Sequence, residues 1–266
     1  MARAACTSLL SKHPAPTQPA PQSGGLNPLP HRPWTLPAQG LAVFHGHADT
    51  ARLSHYFLPR LLLQGKRILF LDGANCADPR LLERLARQRN VPFAQFNRQI
   101  EIARAFTCFQ LTELIARVPQ FLVEFPAEVL VVTAFPDLYF DEDVRDGDAR
   151  GAFERALRDL RRWAGAGRGE GRDFSPAEKR DFQKYTEFTA LPTAGLKPRP
   201  SAVPLTLPLA VALFSSATTF TPTPARRRFF AQTCASAGEV WEFTAGADSR
   251  LILTCTQQAQ LEQLGD

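Results

Sequence analysis

Four short runs in this chain are apolar almost throughout: residues 41–44 (LAVF), 67–71 (RILFL), 128–133 (EVLVVT) and 207–214 (LPLAVALF). A strand with one wet face alternates apolar and polar positions. A strand buried on both faces does not, and it belongs in a parallel sheet covered on either side. Such strands, separated by helical segments, predict an α/β fold. The 266 residues suffice for one substantial domain of this kind with flexible extras.

The intervening segments carry helical spacing. Residues 51–64 place Leu53, Phe57, Leu61 and Leu62 on one side, with Pro59 expected to kink or split the helix and Gly65 to close it. Residues 79–88 do the same with Leu81, Leu82 and Leu85. Residues 106–118 read as an amphipathic helix built on Phe106, Phe109, Leu111, Leu114 and Ile115. Helices are also expected at 152–163, which is rich in arginine, and at 225–235. A further strand is expected at 95–102. Residues 240–243 and 250–254 read as a terminal hairpin around Ala245-Gly246-Ala247-Asp248.

Composition marks the flanks. Residues 1–36, rich in Pro, Ser, Gln and Gly, are expected to form a disordered tail, with Trp34 and Leu36 tucking against the core. The domain proper then covers 37–257, with a long loop insertion at about 165–204 that holds one short helix at 176–188, and 258–266 form a C-terminal tail. The start has no Asp or Glu before Asp49 and contains Ser and Arg, as a transit peptide would, but a plain disordered tail is the expectation. No apolar run approaches the length of a membrane span, so no membrane contact is expected. The five cysteines, Cys6, Cys76, Cys108, Cys234 and Cys255, are scattered and without a CxxC. They read as reduced thiols of a cytoplasmic protein. Formal net charge is +5, an excess that permits contact with nucleic acid without requiring it.

One stretch, residues 68–143, is more specific. It contains ILFLDGAN, then DPRLLERLARQ, then EIARAFTCFQLTELI, then EVLVVTAFPDLYFDEDV, and SRLILT follows near the end of the chain. Together these segments resemble the RecA/RadA recombinase family and its KaiC-like relatives, over most of residues 41–255. The resemblance implies a three-layer α/β/α P-loop NTPase core. Its sheet would be mostly parallel, with a C-terminal antiparallel hairpin. It also implies a role in DNA repair or recombination, with DNA and an active RecA/RadA-like paralogue or other repair protein as partners.

The nucleotide equipment of that family departs from its pattern here. A P-loop needs GxxxxGK[ST] after the first strand, so that backbone N–H groups and Lys hold the phosphates and the hydroxyl holds Mg²⁺. The matching stretch runs from Gly46 to Leu53 (GHADTARL): Gly46 stands, but Ala51, Arg52 and Leu53 replace Gly, Lys and the hydroxyl residue. Thr133 ends the strand where the family has its Mg²⁺-binding Asp. Asp72 is followed by Gly73 and Ala74, so Ala74 takes the place of the water-activating carboxylate. Phosphoryl transfer works by positioning and charge neutralisation, and these losses compound. The expected protein is a catalytically inactive pseudo-ATPase, with no cofactor and no metal, acting as a binding or assembly partner. Two alternatives stand beside it. One is an ATP-binding protein or weak ATPase using a non-standard P-loop, with Arg52 and Asp72 as stand-ins. The other is an interaction module without a nucleic-acid role.

Other constellations read more plainly. His45, His47 and His55 suggest a metal set, but no carboxylate or cysteine pattern completes it, and polar residues at a strand end explain them more simply. Cys108 sits in an apolar helical pattern and reads as a buried thiol. Asp137, Asp141, Glu142 and Asp143 lack the glycine and closing Glu of a calcium loop. Asp72, Thr133 and Asp137 are expected at the ligand edge of the sheet. Two basic groups are candidates for phosphate contact: Arg155, Arg158 and Arg162 on one helix face, and Arg226, Arg227 and Arg228. In the insertion, Arg168, Arg172, Lys179, Arg180 and Lys184 are largely offset by acidic neighbours.

Overall fold

The computed structural model describes residues 34–165, 209–216, 223–246 and 251–258. The insertion expected at 165–204, its helix at 176–188, the basic residues it carries, and Leu207 and Pro208 therefore lie outside the described residues but for Gly165. The same holds for most of both tails and for Ala247 and Asp248 of the hairpin turn.

In chain order the elements are β1 (Gly40–His45), α1 (Thr50–Leu53), a 3₁₀ turn (Ser54–Tyr56), α2 (Leu58–Leu63), β2 (Ile68–Asp72), α3 (Pro79–Arg87), α4 (Phe93–Asn97) and β3 (Ile100–Arg104). Then come α5 (Cys108–Ala116), α6 (Val118–Glu124), β4 (Val129–Thr133), a second 3₁₀ turn (Asp137–Phe140) and α7 (Asp146–Trp163). They are followed by β5 (Ala210–Phe214), α8 (Arg228–Ala235), β6 (Glu239–Ala245) and β7 (Leu251–Gln258). The seven strands form one sheet in the order β3-β2-β4-β5-β1-β6-β7. All neighbours run parallel except β6 and β7, which pair antiparallel at the C-terminal end.

Every residue of β2, β4 and β5 is buried, as their unbroken apolar sequences require. Their alternate residues feed two separate cores. Val43, Leu69, Leu71, Leu130, Val132, Val211 and Leu213 pack with side chains of α5, α6, α7 and α8. Phe44, Ile68, Phe70, Val129, Val131 and Phe214 pack with α1, α2, α3 and α4. Trp34 joins the second core, stacked on Phe57 at 5.5 Å and edge-on to Phe243 at 5.4 Å, and Leu36 is buried beside it. Trp34 and Leu36 thus tuck against the core, as expected of the apolar residues near the end of that stretch.

The helix expected at 51–64 is split, as expected of Pro59, into α1, a 3₁₀ turn and α2, with Pro59 in the first turn of α2. Two local expectations are corrected. The strand expected at 95–102 is half helix: Pro92 starts α4, and β3 begins at Ile100. The helix expected at 106–118 begins later and ends sooner. Thr107 caps α5 by accepting from Gln110 N–H at 3.2 Å, and Gln110 Oε1 accepts from Phe106 N–H at 2.8 Å. That reciprocal cap leaves Phe106 outside the helix, 63 % exposed, and Phe109 47 % exposed. The inward face of α5 is Cys108, Leu111, Thr112 and Ile115.

Candidate functional site at the carboxyl edge of the sheet

The chain leaves β1 and β2 toward one face and leaves β3, β4 and β5 toward the other. Three pairs of neighbouring strands therefore send their connections to opposite faces, β3 with β2, β2 with β4 and β5 with β1. Ligand crevices in parallel sheets open at such places, beyond the strand C-termini. Both candidate nucleotide positions fall there: Gly46 to Leu53 beyond β1, and Asp72 with Thr133, which face each other in the β2–β4 register.

The loop beyond β1 is closed upon itself. His47 N–H donates to Thr50 Oγ1 at 3.0 Å, Asp49 N–H to His47 Nδ1 at 3.1 Å, and Thr50 N–H to the His47 carbonyl at 3.0 Å. Three N–H groups of the loop, those of His47, Asp49 and Thr50, are thus held by the loop's own atoms and not presented to a phosphate. Gly46 has φ of 110°, and a Cβ there would lie 2.5 Å from the Phe243 carbonyl oxygen. Its glycine is required by the close passage of β6, a role independent of any ligand. Ala51 and Leu53 are buried, Leu53 within the core. Arg52 turns outward to Asp78, 3.6 Å away, and borders an open depression of about 500 Å³ together with Asn75, Cys76, Ala77, Asp78 and Arg80.

The crevice between β2 and β4 is likewise filled. Asp72 is fully buried and accepts from Cys76 N–H at 3.0 Å, Ala77 N–H at 2.9 Å and Thr133 Oγ1 at 3.1 Å, with the Arg104 guanidinium 3.6 Å away. Thr133 Oγ1 in turn accepts from Ala74 N–H at 3.2 Å. Asp72 and Thr133 together fold residues 73–77 over the strand ends. Burial, then the Asp72 charge, pushes the Cys76 thiol up to about 12, so it is not a nucleophile at neutral pH.

Two polar groups at this edge, one half-buried and one buried, carry no sequence motif. Asp137, beyond β4, accepts from Ser215 Oγ at 2.6 Å, Ser216 N–H at 2.8 Å and Ser216 Oγ at 2.8 Å, tying β4 to β5. Burial raises its pKa while these donors act against the rise. The available signal was positional: a carboxylate and a serine pair each close behind a fully apolar strand. His55, 1 % exposed, donates from Nδ1 to the Arg52 carbonyl at 3.0 Å and accepts Asp78 N–H on Nε2 at 3.1 Å. It splints the turn after α1 to the start of α3.

Burial lowers the His55 pKa below 6.5, against smaller raising effects of its bond to Arg52 and of the Asp72 and Asp78 charges. Protonation would also destroy its acceptor for Asp78. The unfolded chain therefore binds the proton more readily. Stability is fully present above pH 6.5 and is lost as pH falls through it, by up to about 1.4 kcal/mol per pH unit. Urea unfolding at a series of pH values should show this decline, and His55→Gln should flatten it. His45, whose pKa burial also lowers, supplies a residual slope.

The histidines do not converge: His45 lies against Phe230 at 5.1 Å, His55 packs on Phe70 at 5.5 Å, and among the described residues no three His, Cys, Asp or Glu side chains form a metal site. Of the basic candidates, Arg155, Arg158, Arg162, Arg227 and Arg228 are exposed. Arg226 is not a surface cation. It is 2 % exposed, donates from Nε to Asp146 at 2.8 Å, and donates further to the carbonyls of Tyr139, Asp141 and Val144. No described helix is long and apolar enough to cross a membrane. Comparison with models of known protein families gives no match, and comparison with curated proteins gives none either.

Proposed function

We propose that this chain is a RecA/RadA-like module with a three-layer α/β/α core that has lost nucleotide hydrolysis and acts as a binding or assembly partner in DNA repair or recombination. The observation that carries the silent part is the loop beyond β1. The N–H groups of His47, Asp49 and Thr50 are satisfied within the loop, its glycine serves β6, and its arginine faces Asp78. At the second position Asp72 is occupied by three donors, which leaves no carboxylate free to hold Mg²⁺. The RecA/RadA and DNA-repair parts rest on the sequence resemblance, with the mostly parallel sheet and its antiparallel end in agreement.

Calorimetric titration of the full chain with ATP and Mg²⁺ tests the silent reading. No binding heat is expected at micromolar nucleotide, and Arg52→Ala is expected to change nothing. Micromolar binding that disappears in Arg52→Ala would favour the weak ATPase instead.

A further inference from the structure

The sheet has two open edges among the described residues, β3 and β7. An open edge presents unpaired N–H and C=O groups, and proteins blunt such edges with bulges, charged side chains or proline. β7 is blunted: Val240 pairs with Gln257 and Trp241 with Cys255, so Thr256 is an extra residue that bulges the strand. β3 is regular, in unbroken register with β2 from Ile100 to Arg104. Its terminal arginine is drawn back over the strand end, 3.6 Å from buried Asp72 and donating to the Ala77 carbonyl at 3.2 Å. That leaves Glu101, which is exposed, as the one guarding charge of β3.

The backbone bonds fix which groups face outward. Ile68 N–H donates to the Gln99 carbonyl at 2.8 Å, and Ala105 N–H donates to the Asp72 carbonyl at 3.1 Å. Strand residues address their two sides alternately. Glu101 and Ala103 therefore face β2, while Ile100, Ile102 and Arg104 direct both N–H and C=O away from the sheet. Apolar surface gathers at the same place. Ile102, Phe106 and Phe109 make up half of the six large hydrophobic side chains exposed among the described residues. Apolar surface gathered in this way beside an unpaired strand marks an interaction surface.

We propose that two copies of this chain join through β3, antiparallel about a two-fold axis at Ile102, into one continuous sheet. The partner is a second copy because β3 is its own complement. About that axis Ile102 faces Ile102 of the other copy, and Ile100 faces Arg104. Every outward residue then meets an outward residue, which closes about six N–H···O=C bonds. Glu101 faces Ala103, a neutral side chain. The two Glu101 stand on the diagonal, about 8 Å apart from strand spacing and rise, close to the Debye length, so their repulsion is screened. Just beyond the strand ends, exposed Arg98 of one copy comes beside exposed Phe106 of the other, a cation against a ring.

Sedimentation velocity of the full chain over a series of micromolar concentrations is the test. The parent should pass from the 29.5 kDa chain to twice that mass as concentration rises. Ile102→Lys and Ile102→Glu each set like charges across the axis and should weaken dimerisation by about tenfold or more. An equimolar mixture of the two variants should recover the dimer, each lysine meeting a glutamate, which unfolded variants could not do. A parent that stays monomeric at every concentration would overturn the proposal. So would a dimer that Ile102→Lys leaves as tight as before, or a mixture no tighter than its components. The pairing takes nothing from the nucleotide loop, so the ATP titration reports separately. Nucleotide binding by a dimer removes the silent reading alone, and a monomer that binds no nucleotide removes the pairing alone.

Discussion

Arg226→Ala is expected to cost about 3–5 kcal/mol of folding stability, the range found when one partner of a buried charged network is removed. Its guanidinium sits 2 % exposed where α8 meets the turn before α7. Four acceptors converge on it: Asp146 Oδ1 and the carbonyls of Tyr139, Asp141 and Val144. The alanine variant leaves the carbonyls without their donor in a space too small to hydrate freely, and strands the Asp146 carboxylate at its rim. Arg226→Lys should fall between, since an ammonium keeps the Asp146 pair but cannot span three carbonyls from one plane. Urea unfolding is the measurement, with the midpoint shifted and the denaturant slope unchanged. A loss below about 1 kcal/mol, the scale of exposed ion pairs, would mean that the network is solvated and Arg226 dispensable.

That residue also shows where sequence reading stops. Three consecutive arginines read as a charged surface, and two of them are. Arg226 is set apart by acceptors 80 to 87 residues earlier in the chain, most of them backbone carbonyls that any sequence would supply. No local pattern encodes such a site. The strands were legible for the opposite reason. Burial on both faces forces every position of β2, β4 and β5 to be apolar, a local signature of a global fact. Their polar ends were legible too, because Asp72 and Thr133 stop apolar runs and so must stand at one edge of a parallel sheet.

Phe106 and Phe109 failed by competition between two local signals. Their spacing fits a helix face, but the Thr107–Gln110 cap sets the helix start one residue after Thr107 and rotates both rings outward. At 95–102 the apolar content was shared by α4 and β3, and Pro92, a helix starter, was the stronger signal. The departure of residues 46–53 from a P-loop pattern was legible from residue types. What sequence could not supply is that the N–H groups of His47 and Asp49 are bonded within the loop, since that depends on the rotamers of Thr50 and His47.

Placing a carboxylate at the end of β4, the change that the proposed RecA/RadA reading would treat as a repair, is expected to harm the protein. Thr133 Oγ1 lies 3.1 Å from Asp72 Oδ1 in a fully buried setting. Thr133→Asp would set two carboxylates against each other there and remove the hydroxyl that donates to Asp72. Like charges at that distance cannot both ionise, so the folded pair retains a proton that the unfolded chain releases near pH 4. The folded-state pKa of the pair is raised, so the variant is least stable at neutral pH and regains stability as pH falls through that value. A cost of about 3–5 kcal/mol at pH 7 is expected, from a buried uncompensated charge and the lost bond. Thr133→Val, which loses the bonds without adding charge, should cost less, about 1–3 kcal/mol, and show no such pH dependence. Thermal unfolding across pH separates the two variants, and added Mg²⁺ decides what the crevice is. If Asp72 were a metal ligand in waiting, Mg²⁺ would relieve the repulsion and raise the melting temperature of Thr133→Asp toward that of the parent. If Asp72 is instead committed to the N–H groups of Cys76 and Ala77, Mg²⁺ leaves the variant as unstable as before. The second outcome is expected, because a cation there would have to displace two backbone donors from Asp72.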